Sequence, residues 1–109
     1  MAKTLLLVWS TPASPDVEAE FNRWYDETHV PELRAEIPSI SVVNRYRQHP
    51  APGGEPAPSR YLTVYEVDEA DVDAASAALY GALGSGRTTA TDTIDMAGHP
   101  PAIEWYSHL

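Results

Sequence analysis

Strand-like and helical segments alternate along this chain in the order βαββαβ, and that order restricts how its elements can pack. Thr4 to Trp9 is a run of aliphatic, β-branched and aromatic residues that stops at Ser10-Thr11-Pro12, as a buried strand does. Ser14-Pro15-Asp16 then has the form of a helix start, with a Ser cap, Pro in the first helical position and an acid in the first turn. Val17, Phe21, Trp24 and Tyr25 lay an apolar stripe along one face of that helix. Pro31 lacks an amide donor and pushes Val30 out of the α region. A break is predicted there, with a short helical piece resuming from Glu32 to Ile37.

Ile40, Val42, Asn44 and Tyr46 alternate with Ser41, Val43, Arg45 and Arg47, a half-buried strand that places the first four on one face. The segment from His49 to Ser59 is rich in proline and contains Gly53-Gly54, which marks a long connection. Tyr61 to Val67 reads as the third strand. Asp68-Glu69-Ala70-Asp71 opens a second helix that runs through Leu79, Tyr80 and Leu83 to Gly84-Ser85-Gly86. A Thr-rich stretch and His99-Pro100-Pro101 lead to a last strand, Ala102 to His108. The predicted class is α+β: a ferredoxin-like, split-βαβ domain spanning residues 1–109, with an antiparallel four-stranded sheet and two helices on one face. Both faces of the strands nevertheless carry large groups, Leu5, Leu7 and Trp9 on one side of the first and Leu6 and Val8 on the other. An uncovered apolar sheet face calls for a partner, and a second copy of the chain is the simplest one, so a homodimer is expected.

With no cysteine, the chain has no route to disulfides, thiolate metal sites or thiol catalysis. Seven basic residues against sixteen acidic ones give a net charge of −9, which opposes nucleic acid and anionic membrane surfaces. The apolar run after Lys3 is too short for a signal h-region or a membrane span, so a soluble cytoplasmic protein is expected.

The stretch Phe21-Asn22-Arg23-Trp24-Tyr25-Asp26-Glu27-Thr28-His29-Val30-Pro31-Glu32-Leu33 is the most informative. It resembles the F-N-x-W-Y-x-x-x-H-V-P-x-L signature of the EthD-like branch of the dimeric α/β-barrel proteins. Arg60 to Val67 is similar, more weakly, to that family's third strand. The resemblance implies a dimer whose sheets pack face to face, with a pocket in each protomer between its sheet and helices. It also implies catalysis without metal, flavin or nicotinamide, in which a His, Tyr, Trp or Asn moves protons or holds an enolate. One scaffold carries many chemistries, so the signature is poorly specific for a reaction.

His29 is the first catalytic candidate, four residues after Tyr25 and beside the expected break, where a histidine can act as general acid or base. The competing role is to buttress the kink. Trp24 and Tyr25 are candidate pocket walls, although an amphipathic helix uses such residues more often for core packing. Trp9, at the end of the first strand, is a stacking wall or core. Asn44 and Tyr46 are candidates for stabilising an oxyanion. Tyr61, Tyr65 and Tyr106 are candidates for contacting an aromatic substrate, against cross-strand aromatic pairing as the alternative. Which strand face meets the helices decides all of these assignments, and alternation alone leaves it open. Asp26-x-x-His29 and His29-x-x-Glu32 are weak metal patterns, and no metal site or cofactor is expected.

The leading expectation is a small cofactor-independent enzyme acting on an aromatic, polyketide-like or lactone-like compound by cyclisation, isomerisation, dehydration or substrate-assisted oxygenation. The loops from His49 to Ser59 and from Gly86 to His99 are candidate lids. The alternative is a non-catalytic protein that binds a hydrophobic or aromatic small molecule, or an accessory protein of an oxidative degradation or biosynthetic pathway. RNA binding shares the element order, but the basic and glycine positions of an RNA-recognition third strand are missing and the charge opposes it.

Overall fold

A computed structural model describes residues 3–50, 52–54 and 59–109. Strands β1 (Thr4–Ser10), β2 (Ile40–Arg47), β3 (Tyr61–Val67) and β4 (Ala102–Ser107) form one antiparallel sheet in the spatial order β2-β3-β1-β4. Leu6 of β1 lies opposite Tyr65 of β3 on one side and Trp105 of β4 on the other. The helices cover one face of this sheet. Thr4, Leu6 and Ser10 of β1 and Tyr61, Thr63, Tyr65 and Val67 of β3 are buried beneath them. The result is the α+β, ferredoxin-like arrangement that the element order predicts. No helix among the described residues is long and apolar enough to cross a membrane.

The first helical region does not break at Pro31. A 3₁₀ turn (Pro15–Val17), α1 (Glu18–Arg23), a π-helical segment (Trp24–His29) and α2 (Val30–Glu36) follow one another without a loop. Val30 stays in the α region, at φ −61° and ψ −48°, and its amide bonds to the Tyr25 carbonyl five residues back. In an α-helix the ring of Pro31 would clash with the carbonyl of residue 27 and offer it no hydrogen. Widening the preceding turn to the π register moves that carbonyl away, so the strain is absorbed as one wide turn instead of a break. Ser14 also departs from expectation. It is extended, but its side chain makes no capping bond, and its carbonyl accepts the Val17 amide at 3.2 Å instead. Helix α3 (Val72–Leu83) begins just after the Asp68–Asp71 stretch expected to open it, and Asp71 caps it, its Oδ1 accepting the amides of Asp73 and Ala74 at 3.0 and 3.3 Å.

Strand β2 contains a second departure. Ile40 pairs with Val67 but Val42 pairs with Glu66, so Ser41 is an extra residue, a β-bulge. The bulge reverses the facing of everything after it. Ile40 is buried under the helices, whereas Val42, Asn44 and Tyr46 point to the open face. The expectation that these four share a face is therefore corrected, and Val43, Arg45 and Arg47 take the inner side, opposite Tyr65, Thr63 and Tyr61.

Two apolar clusters fill the space between helices and sheet. The larger joins Leu6, Leu33, Ile40, Tyr65, Val67 and Leu79 with their neighbours. The smaller, at the end of the sheet where β1 finishes and β3 begins, is aromatic: Phe21, Tyr25 and Tyr61, flanked by Trp24, Val30 and Ile94. Among the described residues, nothing covers the opposite sheet face. Leu5, Leu7, Leu62 and Val64 are half-buried there, and Val42 and Tyr46 are exposed. The expected lid at 49–59 lies partly outside the described residues.

Candidate functional site

The π segment turns three aromatic rings inward together. The Trp24 and His29 rings stack with centroids 4.3 Å apart and planes at 17°. Tyr25 meets both edge-on, 4.9 Å from Trp24 and 5.3 Å from His29. In a regular α-helix, residues five apart diverge by more than a full turn, and the wider π turn closes that angle. The stack is thus a product of the π segment. Tyr25 is fixed in turn by Ser10 at the end of β1, with 2.9 Å between the hydroxyls.

Arg45 enters the same region from β2. Its Nη1 donates to Asp26 Oδ1 and its Nη2 to Asn22 Oδ1, both at 2.9 Å. The guanidinium carbon lies 4.5 Å from the Tyr25 ring centroid, 5.4 Å from Tyr61 and 5.8 Å from Phe21, so three ring faces or edges surround one cation. The polar chain continues outward: Asn22 Nδ2 donates to the Tyr61 hydroxyl at 3.1 Å, and that hydroxyl donates to Glu18.

Burial sets the ionisation of these groups. Desolvation lowers the His29 pKa to about 4, with Arg45 pushing the same way and Glu32 opposing, so the ring is neutral at neutral pH. Desolvation also raises the hydroxyls of Tyr25, Tyr61 and Tyr65, keeping all three protonated. Three buried side-chain polar atoms have no hydrogen-bond partner among the described residues: His29 Nδ1, Arg45 Nε and Thr63 Oγ1. Such atoms are uncommon inside proteins and call for an explanation. Arg45 and Thr63 face each other across β2 and β3, and His29 and Arg45 both pack on Tyr25.

The candidate residues read from the sequence divide between the two sheet faces. His29, Trp24, Tyr25, Tyr61 and Tyr65 come together on the helix side. Asn44 and Tyr46 are on the open face, so an oxyanion role for either beside His29 does not fit this geometry, and the Ser41 bulge is the reason. Tyr106, opposite Leu5, and Trp9 are on the open face as well, with Trp9 Nε1 bonded to Glu104 at 3.1 Å. The stretch from Gly86 to His99, expected as a lid, is fastened to the helix. Thr89 donates through its amide and hydroxyl to Glu32 at 2.7 and 2.8 Å, accepts from Trp24 Nε1 at 3.2 Å, and Arg87 bonds Glu36. Among the described residues, no three His, Asp or Glu side chains are grouped as a metal site.

No protein-family model matches the sequence, and no curated protein matches it. A solved structure does resemble the whole molecule: the crystal structure of an EthD family protein from Bacillus halodurans C-125. The likeness covers 97% of this chain and 99% of that one, with a TM-score of 0.56 and 18% identity. The fold is that of an EthD family protein. Within this EthD-type fold, the helix carrying Phe21 to Leu33 is the one that brings His29 against the sheet.

Arg45 and Thr63 were not among the residues singled out from the sequence. An arginine alternating with polar neighbours reads as a solvated strand face, and only the bulge turns it inward. The signal present in the sequence was the pairing of two arginines, Arg45 and Arg47, with a strand rich in tyrosine.

Proposed function

We propose that this protein is a small EthD-like enzyme that uses no metal or organic cofactor and moves a proton beside a carbonyl group of an aromatic, polyketide-like or lactone-like compound. The observation that carries the reading is His29. Its ring is half-buried and neutral, and its buried Nδ1 has no protein partner among the described residues. A neutral imidazole takes a proton from the carbon next to a carbonyl, giving an imidazolium and an enolate. Returning that proton to another atom isomerises the compound. Attack by the enolate carbon on a second carbonyl of the same molecule closes a ring and leaves an alkoxide, which takes the proton from the imidazolium. Removal of a further α-proton by the imidazole and departure of the hydroxyl group with that proton, as water, completes a dehydration. Trp24, stacked on the imidazole, keeps water from it. The open apolar sheet face is the expected site of pairing with a second copy.

The test works without an identified substrate. Aryl ketones and β-keto lactones with exchangeable α-protons are incubated in D₂O, and loss of the α-proton signal is followed by NMR. The expected result is exchange faster than in buffer, reduced roughly a hundredfold or more by His29→Gln. Equal rates for the two proteins, or no acceleration with any compound, would overturn the proposal.

One observation favours the non-catalytic alternative. A surface groove of about 700 Å³, lined by Glu20, Trp24, Glu27 and Thr91 among others, lies beside the helix without including His29. A protein that only binds would use this groove and give no exchange.

A further inference from the structure

We infer that Arg45 and Thr63 form an oxyanion-binding subsite on the inner sheet face, specific for the enolate oxygen of the ligand that meets His29. The inference rests on the proton-transfer reading and names the charge that the site receives.

The first support is the direction in which Arg45 is held. Asn22 and Asp26 each bond one of its two terminal nitrogens, while its buried Nε–H has no partner among the described residues. Of the five N–H donors of a guanidinium, Asp26 and Asn22 take one on each terminal nitrogen, and the buried Nε–H is a donor available for something else. The second support is Thr63. Its residue is fully buried, it lies directly opposite Arg45, and its hydroxyl is also unpartnered. A buried threonine without a hydrogen bond is less stable than the valine of the same shape, so its presence is costly unless a ligand or a water completes it. The third is the composition of the surroundings. The aromatic rings of Phe21, Tyr25 and Tyr61 enclose the cation, and low polarity strengthens any contact between it and an anionic oxygen.

Charge distinguishes an enolate from the other occupants. Asp26, the one carboxylate among the described residues bonded to Arg45, is 62% exposed, so solvent screens its charge while the inner side of the guanidinium remains positive. A neutral carbonyl gains little there, and the oxygen that becomes negative when His29 removes a proton gains more. The pairing of a proton acceptor with a cationic N–H donor lets the same small region take up both products of the step, the proton and the charge.

The test uses 4-hydroxycoumarin, an acidic enol of a lactone, against coumarin, its neutral parent, and benzoate, a carboxylate of similar size. Binding is followed by NMR through the ring signals of His29 and the amide of Thr63, in the wild type and in Thr63→Val, Arg45→Gln and Arg45→Lys. The expected result is at least a tenfold preference for the enolate over coumarin, lost in Arg45→Gln. Thr63→Val is the more telling variant, because it should unfold at a higher temperature than the wild type while binding the enolate several-fold more weakly. It also keeps the proposal testable if Arg45→Gln does not fold. Equal binding of enolate and coumarin, or unchanged enolate affinity in Thr63→Val, would overturn the subsite. Benzoate binding as tightly as the enolate, with the same dependence on Arg45, would overturn the assignment to enolates in favour of carboxylates. Bound coumarin that shifts the His29 signals without any charge preference would remove this inference and leave the proton-transfer reading standing. No response to any probe would count against both.

Discussion

The imidazole of His29 lies flat against the indole of Trp24, 4.3 Å between centroids, because a π turn replaces an α turn between them. The contact has two effects on His29: it removes water from one ring face and holds the ring beside Tyr25. If the stack is what keeps His29 dry, Trp24→Ala raises its pKa from about 4 towards the ordinary value. Titration of the imidazole proton signals by NMR measures this directly, and an unchanged pKa would show that the sheet, not Trp24, excludes the water.

The same pKa makes stability depend on pH. Because about 4 lies below the ordinary 6.5, the unfolded chain binds a proton between these values that the folded chain does not. The stability due to the neutral ring is therefore complete above about pH 6.5 and is lost as the pH falls through about 4, with a total on the order of 3 kcal/mol. Urea unfolding of wild type and His29→Gln across this range should show a steeper loss in the wild type. Parallel curves would place His29 in contact with water.

Arg45 ties β2 to the helix through Asn22 and Asp26 and fills the centre of an aromatic cluster. Arg45→Ala leaves those partners and the ring faces without their cation, and a loss of about 2–4 kcal/mol is expected in urea unfolding. Asp26→Asn should cost less than about 1 kcal/mol, because its carboxylate is mostly solvated.

On the other side of the sheet, Val64 pairs with Leu7 at the middle of the apolar face and points away from the helices. Val64→Asp should leave the fold intact and convert a dimer to a monomer in light scattering at micromolar concentration. A wild-type monomer under the same conditions would remove the dimer expectation.

Helix α3 offers a control away from the site. Asp71→Ala removes the oxygen that accepts the amides of Asp73 and Ala74, and a loss of about 1 kcal/mol is expected in thermal or urea unfolding.

The strand pattern, the element order and the helix stripe were legible in the sequence because each depends on local periodicity. Leu6, Tyr65 and Phe21 are buried where alternation and helical spacing put them. His29 was legible as a candidate through its motif, but its neighbours were not. Pro31 predicts a break by its chemistry, and only packing on the sheet makes a continuous helix with a π turn the better solution. Unbroken alternation puts Asn44 and Tyr46 on the face of Ile40, and a single extra residue in β2 puts Arg45 there in their stead. A bulge of this kind leaves no trace in hydrophobic pattern when the residue inserted is as neutral in character as Ser41.

The bulge makes the interior of this molecule depend on parity. With one residue at position 41 in excess of the pairing, odd-numbered β2 side chains after it look inward and even-numbered ones outward. The same sequence paired without the bulge would either pull Ile40 out of its place or turn the rest of the strand over. In the second case an amide from Asn44 would replace the guanidinium beneath Tyr25, and the charge of Arg45 would surface among the leucines and valines of the uncovered face. Absorbing Ser41 into the regular pairing would thus exchange the polarity of the interior with that of the outer surface in a single step, whereas deleting Ser41 would preserve both.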